Sequence, residues 1–264
     1  MSKLMIVKLG GSVITDKQSV EPKARLDVIK RLAEETARAY TPKMSLIIVH
    51  GAGSYGHQIV KRTGIHNGIT TREQVIAFAE TQRLQNELDS IVTKEFISRN
   101  VPCFPCQASD HVVMDGGRLK SMDLRAIKGL LKTGVVPTFF GVPAYDKTKK
   151  CSILSGDQIA PYLATKLRAK IMIHGTNVNG VFTADPNKDP NARHIPEINE
   201  GNWHEVRQYL AHSATVDVTG GMLGKVTETY ELARAGIESI ITDITKPGNL
   251  EKALRGEALG TVIR

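Results

Sequence analysis

Lysines and a histidine set among glycines are the residues of this sequence best suited to chemistry, and that chemistry is the handling of phosphate. Lys8 closes the apolar run Met5-Ile6-Val7 and is followed by Gly10-Gly11-Ser12. A lysine at the end of a buried strand is costly unless an anion or a carboxylate compensates it. The run Leu46-Ile47-Ile48-Val49 leads into His50-Gly51-Ala52-Gly53-Ser54-Tyr55-Gly56-His57. Its glycines let backbone N–H groups come close to an anion, and His57 at the end of the loop can add a charge-assisted hydrogen bond. Ser155-Gly156-Asp157 opens a helical pattern, where Asp157 serves either as a cap or as a carboxylate that holds lysines. Asp217-Val218-Thr219-Gly220-Gly221-Met222-Leu223-Gly224-Lys225 is a further glycine turn entering a helix. A cation in the first turns of a helix opposes the macrodipole, so Lys225 asks for bound negative charge.

These residues meet only if several strands end at one place. Met5–Val7 and Leu46–Val49 read as strands buried on both faces, as in a parallel sheet. Leu26, Ile29, Ala33, Ala37 and Tyr40 fall at helical spacing and make the crossover between them. Ligands of open α/β sheets bind at the carboxyl ends of the strands, where the glycines stand. Lys17 follows on the polar segment 15–18, as a site lysine or a solvated one. Thr70-x-x-Glu73 is a capping box that starts a helix to about Arg99. On it Val75, Ile76 and Phe78 are either core or the lining of an apolar pocket beside His57. A helix over 124–131, a strand over 135–140 and a helix from Ser155 to Leu167 follow. Then come a strand over 171–174, the segment Thr176-Asn177-Val178-Asn179-Gly180-Val181, an irregular loop over 183–196, a strand over 237–242, a helix over 250–255 and a last strand over 261–263.

The chain has 264 residues, enough for one large domain or two lobes, and its 41% hydrophobic and 23% charged residues are those of a soluble protein. No apolar run is long enough to span a membrane and no signal peptide precedes the first strand, so a cytoplasmic location is expected. Three cysteines, an odd number, fit a reducing compartment; Cys103-Phe-Pro-Cys106 has redox-motif spacing, but structural thiols are the simpler reading. A net charge of +8 asks for an anionic partner. With basic residues scattered along helices and only 5% aromatic residues, a small phosphorylated ligand is expected and nucleic acid is not.

There is no P-loop, no G-x-G-x-x-G fingerprint and no protein-kinase signature. Lys8-Leu-Gly-Gly-Ser12, Ser155-Gly-Asp157, Thr176-Asn-Val-Asn-Gly-Val181 and Asp217-Val-Thr-Gly-Gly-Met222 with Lys225, in that order, resemble the amino acid kinase superfamily over nearly the whole chain. His50-Gly-Ala-Gly-Ser-Tyr-Gly-His57 is similar to the corresponding loop of isopentenyl phosphate kinases, with fosfomycin kinases the nearest rival. The resemblance implies a three-layer αβα sandwich with an open, mostly parallel sheet. An N-terminal lobe, about 1–169, would take the acceptor, and a C-terminal lobe, about 170–264, would take ATP and Mg2+.

The resemblance also implies the roles of single residues. Lys8 and Lys225 grip the transferring phosphoryl group, Lys17 stabilises the transition state, and Asp157 positions the two lysines. Gly10, Gly11 and Gly53 give backbone donors, and Ser12, Thr176, Asn177, Gly180 and Gly221 complete the nucleotide site. Gly51, Ala52, Gly56 and His57, with Gly156 and Asp157, bind the acceptor. Asn177 and Asn179 depart from the commoner Asp-Val-Asp form, and Val142 replaces a frequent Asp. The expected reaction converts isopentenyl phosphate and ATP into isopentenyl diphosphate and ADP, in a protein that resembles homodimeric relatives. The alternatives are a phosphonate kinase of the fosfomycin type or a non-catalytic nucleotide- or anion-binding protein of the same fold.

Overall fold

The computed structural model describes residues 4–264 apart from 17, 20, 187, 213–220 and 258. The chain alternates strands and helices. β1 (Leu4–Leu9) passes through the single turn α1 (Gly11–Ile14) to α2 (Leu26–Ala39), β2 (Ser45–His50), α3 (Ser54–Thr63) and the 26-residue α4 (Arg72–Ile97). Short strands β3 (Cys103–Pro105), β4 (Val112–Asp115) and β5 (Arg118–Met122) lead to α5 (Arg125–Thr133). β6 (Val136–Phe140), β7 (Val142–Asp146) and β8 (Lys150–Leu154) precede α6 (Gly156–Leu167) and β9 (Ile171–Thr176). The remainder holds β10 (Val181–Phe182), β11 (His194–Ile195), β12 (Glu197–Ile198), α7 (Trp203–His212), α8 (Gly221–Arg234), β13 (Glu238–Asp243), α9 (Asn249–Leu254) and β14 (Thr261–Ile263).

Eight strands form one sheet in the order β12-β14-β13-β9-β1-β2-β6-β3, parallel throughout except for the β13–β14 pair. Side chains alternate across the sheet and divide the core in two. Val7, Leu9, Leu46, Ile48 and Ile173 pack with α2, α4 and α9 residues such as Leu32, Leu88 and Leu250. Ile6, Ile47, Val49 and Met172 pack on the other face with Ile159 and Leu163 of α6 and Leu232 of α8. Three layers therefore result, as expected, and Lys8, two residues after Ile6, is directed to the α6 side. A second sheet, β5-β4-β7-β8, was not foreseen as such; its strands are short and half-polar, so they lack the apolar runs that mark the large sheet.

The start of α4 differs from expectation by one residue. The capping box is made by Thr71, whose hydroxyl accepts from the Gln74 N–H, while the Gln74 carboxamide oxygen accepts from the Thr71 N–H. Thr70 instead gives its own N–H and hydroxyl to Gln74. The helix packs Ala77, Thr81, Leu84, Gln85 and Leu88 inward, and Val75 and Ile76 stand 38% and 56% exposed. Cys103, Cys106 and Cys151 are buried free thiols. Burial pushes them up to about 12, 11 and 12, which leaves them protonated and unreactive.

One buried carboxylate locks the edge of the α2–α9 layer. Glu35 of α2 is fully buried, takes the Arg31 guanidinium at 2.5 Å and accepts backbone N–H groups of Gly248 and Leu250 at 2.9 and 3.0 Å. It supplies to the start of α9 the negative charge that a helix N-terminus favours. Removing it leaves Arg31 and these amides without their acceptor. Glu35→Ala should therefore lower unfolding free energy by about 3 kcal/mol, checked by urea denaturation; a loss under ~1 kcal/mol would give Glu35 the small role of a surface pair.

Candidate active site

Two glycine turns, one from β1 and one from β2, are built against each other. Gly51 donates its N–H to Leu9 O at 2.9 Å, and the backbones come so close that a Cβ on Gly51 would lie 2.5 Å from the Gly11 nitrogen. Gly53 has φ +52° and ψ −143°, a conformation L side chains rarely adopt. A Cβ on it would meet the Thr15 hydroxyl at 1.9 Å. Thr15, expected on a polar surface segment, is instead buried as the staple between the turns: its hydroxyl donates to Gly11 O at 2.7 Å and accepts from the Ser54 N–H at 3.0 Å. His50 holds the start of the second turn from below, its Nε2 3.2 Å from Asp89 of α4 and its ring stacked on Phe140.

The region read as a loop up to His57 is a helix from Ser54 onward. Gly56, a poor helix former, hid that pattern in the sequence. His57 therefore stands in the first turn of α3, exposed at the rim, where a helix N-terminus favours an anion.

Below the turns lies the charged centre. Asp157, in the first turn of α6, accepts from Lys8 Nζ at 2.6 Å and from Lys225 Nζ of α8 at 2.8 Å, both on Oδ1. The choice between cap and lysine holder is thereby decided, since no side-chain cap bond is made at Ser155 and Asp157 carries both lysines. Burial would raise the Asp157 carboxyl, but Lys8 and Lys225 hold it well below the usual carboxylate range. For Lys8 burial outweighs the attraction of Asp157, and with Lys225 nearby its ammonium falls to about 8. Two ammoniums share one carboxylate, and the surplus positive charge faces a groove.

That groove has a volume of about 220 Å³ and gathers Lys8, Gly10, Gly11, Ser12, Gly51, Ala52, Gly53, His57, Gly156, Asp157, Thr176, Asn177 and Lys225. Gly141, Ser155, Gly175 and Met222 also line it; of these, Gly141 and Gly175 had a signal in the sequence, each following a buried strand. Gly10 does not keep a free amide for a ligand, because its N–H goes to Gly175 O at 2.9 Å and ties β1 to β9. Gly180 is turned away from the groove: at φ +99° its Cα packs against Thr261 and His194. Lys17 and the segment 217–220 lie outside the described residues, and Gly221 begins α8.

An apolar chamber of about 30 Å³ adjoins the groove behind His57, walled by Val60, Thr81, Gln85, Val142, Pro143 and Ile153. Val75, Ile76 and Phe78 have no part in it, for the reason given by the phase of α4. On the other side of Asp157 a cavity of about 430 Å³ opens among His66, Lys149, Gln158 and the Arg118–Glu228 ion pair, which joins β5 to α8. Among the described residues no three of His, Cys, Asp or Glu converge as a metal cage, and no helix is long and apolar enough to cross a membrane.

The amino acid kinase family model matches residues 3–243. The chain is 38% identical over 260 residues to the isopentenyl phosphate kinase of Methanothermobacter thermautotrophicus, with 96% of each chain covered. It is 33% identical to that of Methanocaldococcus jannaschii, with 98% of each covered. Among solved structures it is similar to an isopentenyl phosphate kinase at TM-score 0.86 and 35% identity, covering 98% of this chain and 100% of that one.

The depressed Lys8 has a readable consequence. As pH rises through about 8 the ammonium loses its proton and the groove its surplus charge, so kcat/KM for a phosphate-bearing nucleotide should fall on the alkaline side with a limb near that value. In Asp157→Asn the attraction that raises Lys8 is gone, and the limb should move to lower pH. A pH profile of both proteins checks this; an unmoved limb would dissociate Lys8 from the titration.

Proposed function

The chain belongs to the amino acid kinase family and, within it, to the isopentenyl phosphate kinases, and we propose from this and from its site that it transfers the γ-phosphoryl group of ATP to isopentenyl phosphate. The observation that carries the reading is the groove itself. Its positive floor, Lys8-Asp157-Lys225, meets at His57 an apolar wall of Val60, Val142, Pro143 and Ile153, which offers a phosphate-bearing molecule an apolar surface for a hydrocarbon end. A fosfomycin-type acceptor would draw less on that chamber, and a merely storage-type anion binder would have no need of it.

In this reading the acceptor phosphate sits between His57 and the amides of the second glycine turn, with its tail toward Val60 and Val142. A phosphate monoester loses its second proton near pH 6, so the attacking oxygen is already anionic at neutral pH and no general base is required. That oxygen forms a bond to the γ-phosphorus while the bond to the β–γ bridging oxygen breaks and the electron pair leaves with ADP. Lys8 and Lys225 contact the equatorial oxygens, where charge is greatest, and Gly11 and Gly53 offer backbone N–H groups to the same oxygens. Lys17 would add a third cation. The triphosphate binds at the β1 turn and over Thr176 and Asn177. Mg2+, for which no cluster of three His, Cys, Asp or Glu stands among the described residues, would come with the nucleotide and supply neutralisation of the developing charge.

The two-lobe division at about residue 169 belongs to the same reading: acceptor contacts come from the β2–α3 turn, nucleotide contacts from β9 and α8. A second copy of the chain is the expected partner, supported by Phe104 at 44% and Ile97 at 52% exposure on and beside the edge strand β3. A soluble cytoplasmic setting suits these substrates.

ADP release followed with isopentenyl phosphate, dimethylallyl phosphate and fosfomycin should give a kcat/KM for the first that exceeds the last by orders of magnitude. Equal or reversed values would move the assignment to the phosphonate. His57→Ala should raise KM for the phosphate acceptor and lower kcat, and Lys8→Ala or Lys17→Ala should cost on the order of 100-fold in kcat. A His57→Ala protein with unaltered kcat/KM would remove the acceptor-holding role.

A further inference from the structure

His174 is a buried histidine at the centre of the site that the mechanism above leaves unused. It is the register partner of Lys8 on the neighbouring strand, so both side chains leave the sheet on the same face. Only 1% of it is exposed. Its Nε2 is 3.0 Å from the Thr229 hydroxyl, and that hydroxyl is 2.6 Å from the backbone carbonyl of Lys225, one turn earlier in α8. Its Nδ1 lies 3.9 Å from Asp157 Oδ1 and has no hydrogen-bond partner.

The proton positions follow from these contacts. A hydroxyl has one proton, and Thr229 spends it on the Lys225 carbonyl, which can only accept. Thr229 must then accept from His174, so the imidazole carries its proton on Nε2 and presents a bare lone pair at Nδ1. Burial and the charge of Lys225 push His174 down to about 3, which keeps the ring neutral. A buried acceptor without a donor is unfavourable; the polar atom facing Nδ1 is Asp157 Oδ1 at 3.9 Å, and the two ammoniums bound to that oxygen at 2.6 and 2.8 Å carry three donors each, turned to Asp157.

We propose that His174 is a positioning residue: the Thr229 hydrogen bond braces the ring and the helix α8 and so serves stability, while its Nδ1 lone pair is the second acceptor that keeps the lysine ammoniums aimed when the transferring phosphoryl group draws them off Asp157. The neutral ring suits this task. A second carboxylate would cancel the surplus charge that attracts phosphate, and an apolar residue would leave Asp157 as the sole acceptor for two cations.

Two near-isosteric variants separate the two contacts. In His174→Asn the amide oxygen stands near the Nδ1 position, and the link to Thr229 is lost. In His174→Gln the amide reaches Thr229, and the acceptor at Nδ1 is lost. The expected result is that Gln keeps the melting temperature but lowers kcat by about tenfold or more, while Asn lowers the melting temperature and retains kcat within about threefold; KM for the acceptor stays unchanged in both. ATP affinity by calorimetry without acceptor should follow the same order. Equal losses in the two variants, or none in either, would reduce His174 to a core residue and overturn the proposal. The inference rests on the phosphotransferase reading, but wild-type turnover tests that reading, while the contrast between the variants tests His174. If wild type transferred nothing, the order of ATP affinities would still decide the matter.

Discussion

One oxygen of one carboxylate, Asp157 Oδ1, holds two ammoniums, one from strand β1 and one from helix α8. Lys8 is 149 residues away in sequence and Lys225 is 68. Two buried cations repel each other, and each loses hydration on burial. A single shared anion makes the arrangement tolerable without neutralising it. The remaining charge is what the groove offers to a ligand: Lys8 is lowered first by burial and further by Lys225, so the pair can use more negative charge than Asp157 gives. Polyphosphate supplies it.

The fold can be understood as the means of bringing those three residues together. A parallel sheet places the ends of β1, β2 and β9 side by side, so their glycine turns share one edge. Lys8 reaches the floor because its strand position faces α6, and α6 and α8 pack against each other so that Asp157 and Lys225 meet over it. Buried carboxylates do similar work elsewhere. Glu35 holds the start of α9, and Asp146 holds the turns around Gly117 and Lys149 through backbone donors and the Ser152 hydroxyl. Burial alone would raise Asp146, but those hydrogen bonds bring it well below the usual carboxylate range. In each case the chain accepts an internal anion to set the path of a loop beside the cleft.

What was legible in the sequence was what has a local signature. Buried parallel strands are short aliphatic runs, glycine turns follow them, and the lysine at the end of one had no apolar explanation, so Lys8, His57, Asp157 and Lys225 could be singled out before any coordinates. The groove brings all four together. What was not legible depended on tertiary choices. Thr70 and Thr71 each begin an S/T-x-x-E/Q pattern, and only the reciprocal bonds between Thr71 and Gln74, whose amide is also tied to Thr63 O at 3.0 Å, show which is used. Packing of α4 on the sheet and on α3 likewise leaves Val75 and Ile76 outward and gives the chamber to Thr81 and Gln85. α3 was hidden by Gly56. Gly10 and Gly180 were read as ligand contacts from their motifs, but backbone packing against Gly175 and Thr261 claims them first. His174 had no signal either, because a histidine in an apolar strand is the same letter whether it is filler or support.

The close approach of the two glycine turns explains why two unlike surfaces can adjoin. On one side of the β2–α3 turn the groove is charged; on the other, within one helical turn, the chamber is apolar. A side chain on Gly51 would collide with Gly11, and one on Gly56 would lie 2.6 Å from the Gln85 amide that walls the chamber. The glycines therefore keep the boundary narrow, and Ala52, His57, Gly141 and Ile153 line both the groove and the chamber. His57 sits where the partition ends, its ring at the rim and its helix starting at Ser54. Specificity for a phosphate joined to a short hydrocarbon then needs no separate recognition domain. In the proposed reading it follows from the narrow boundary between a cationic floor and an apolar wall.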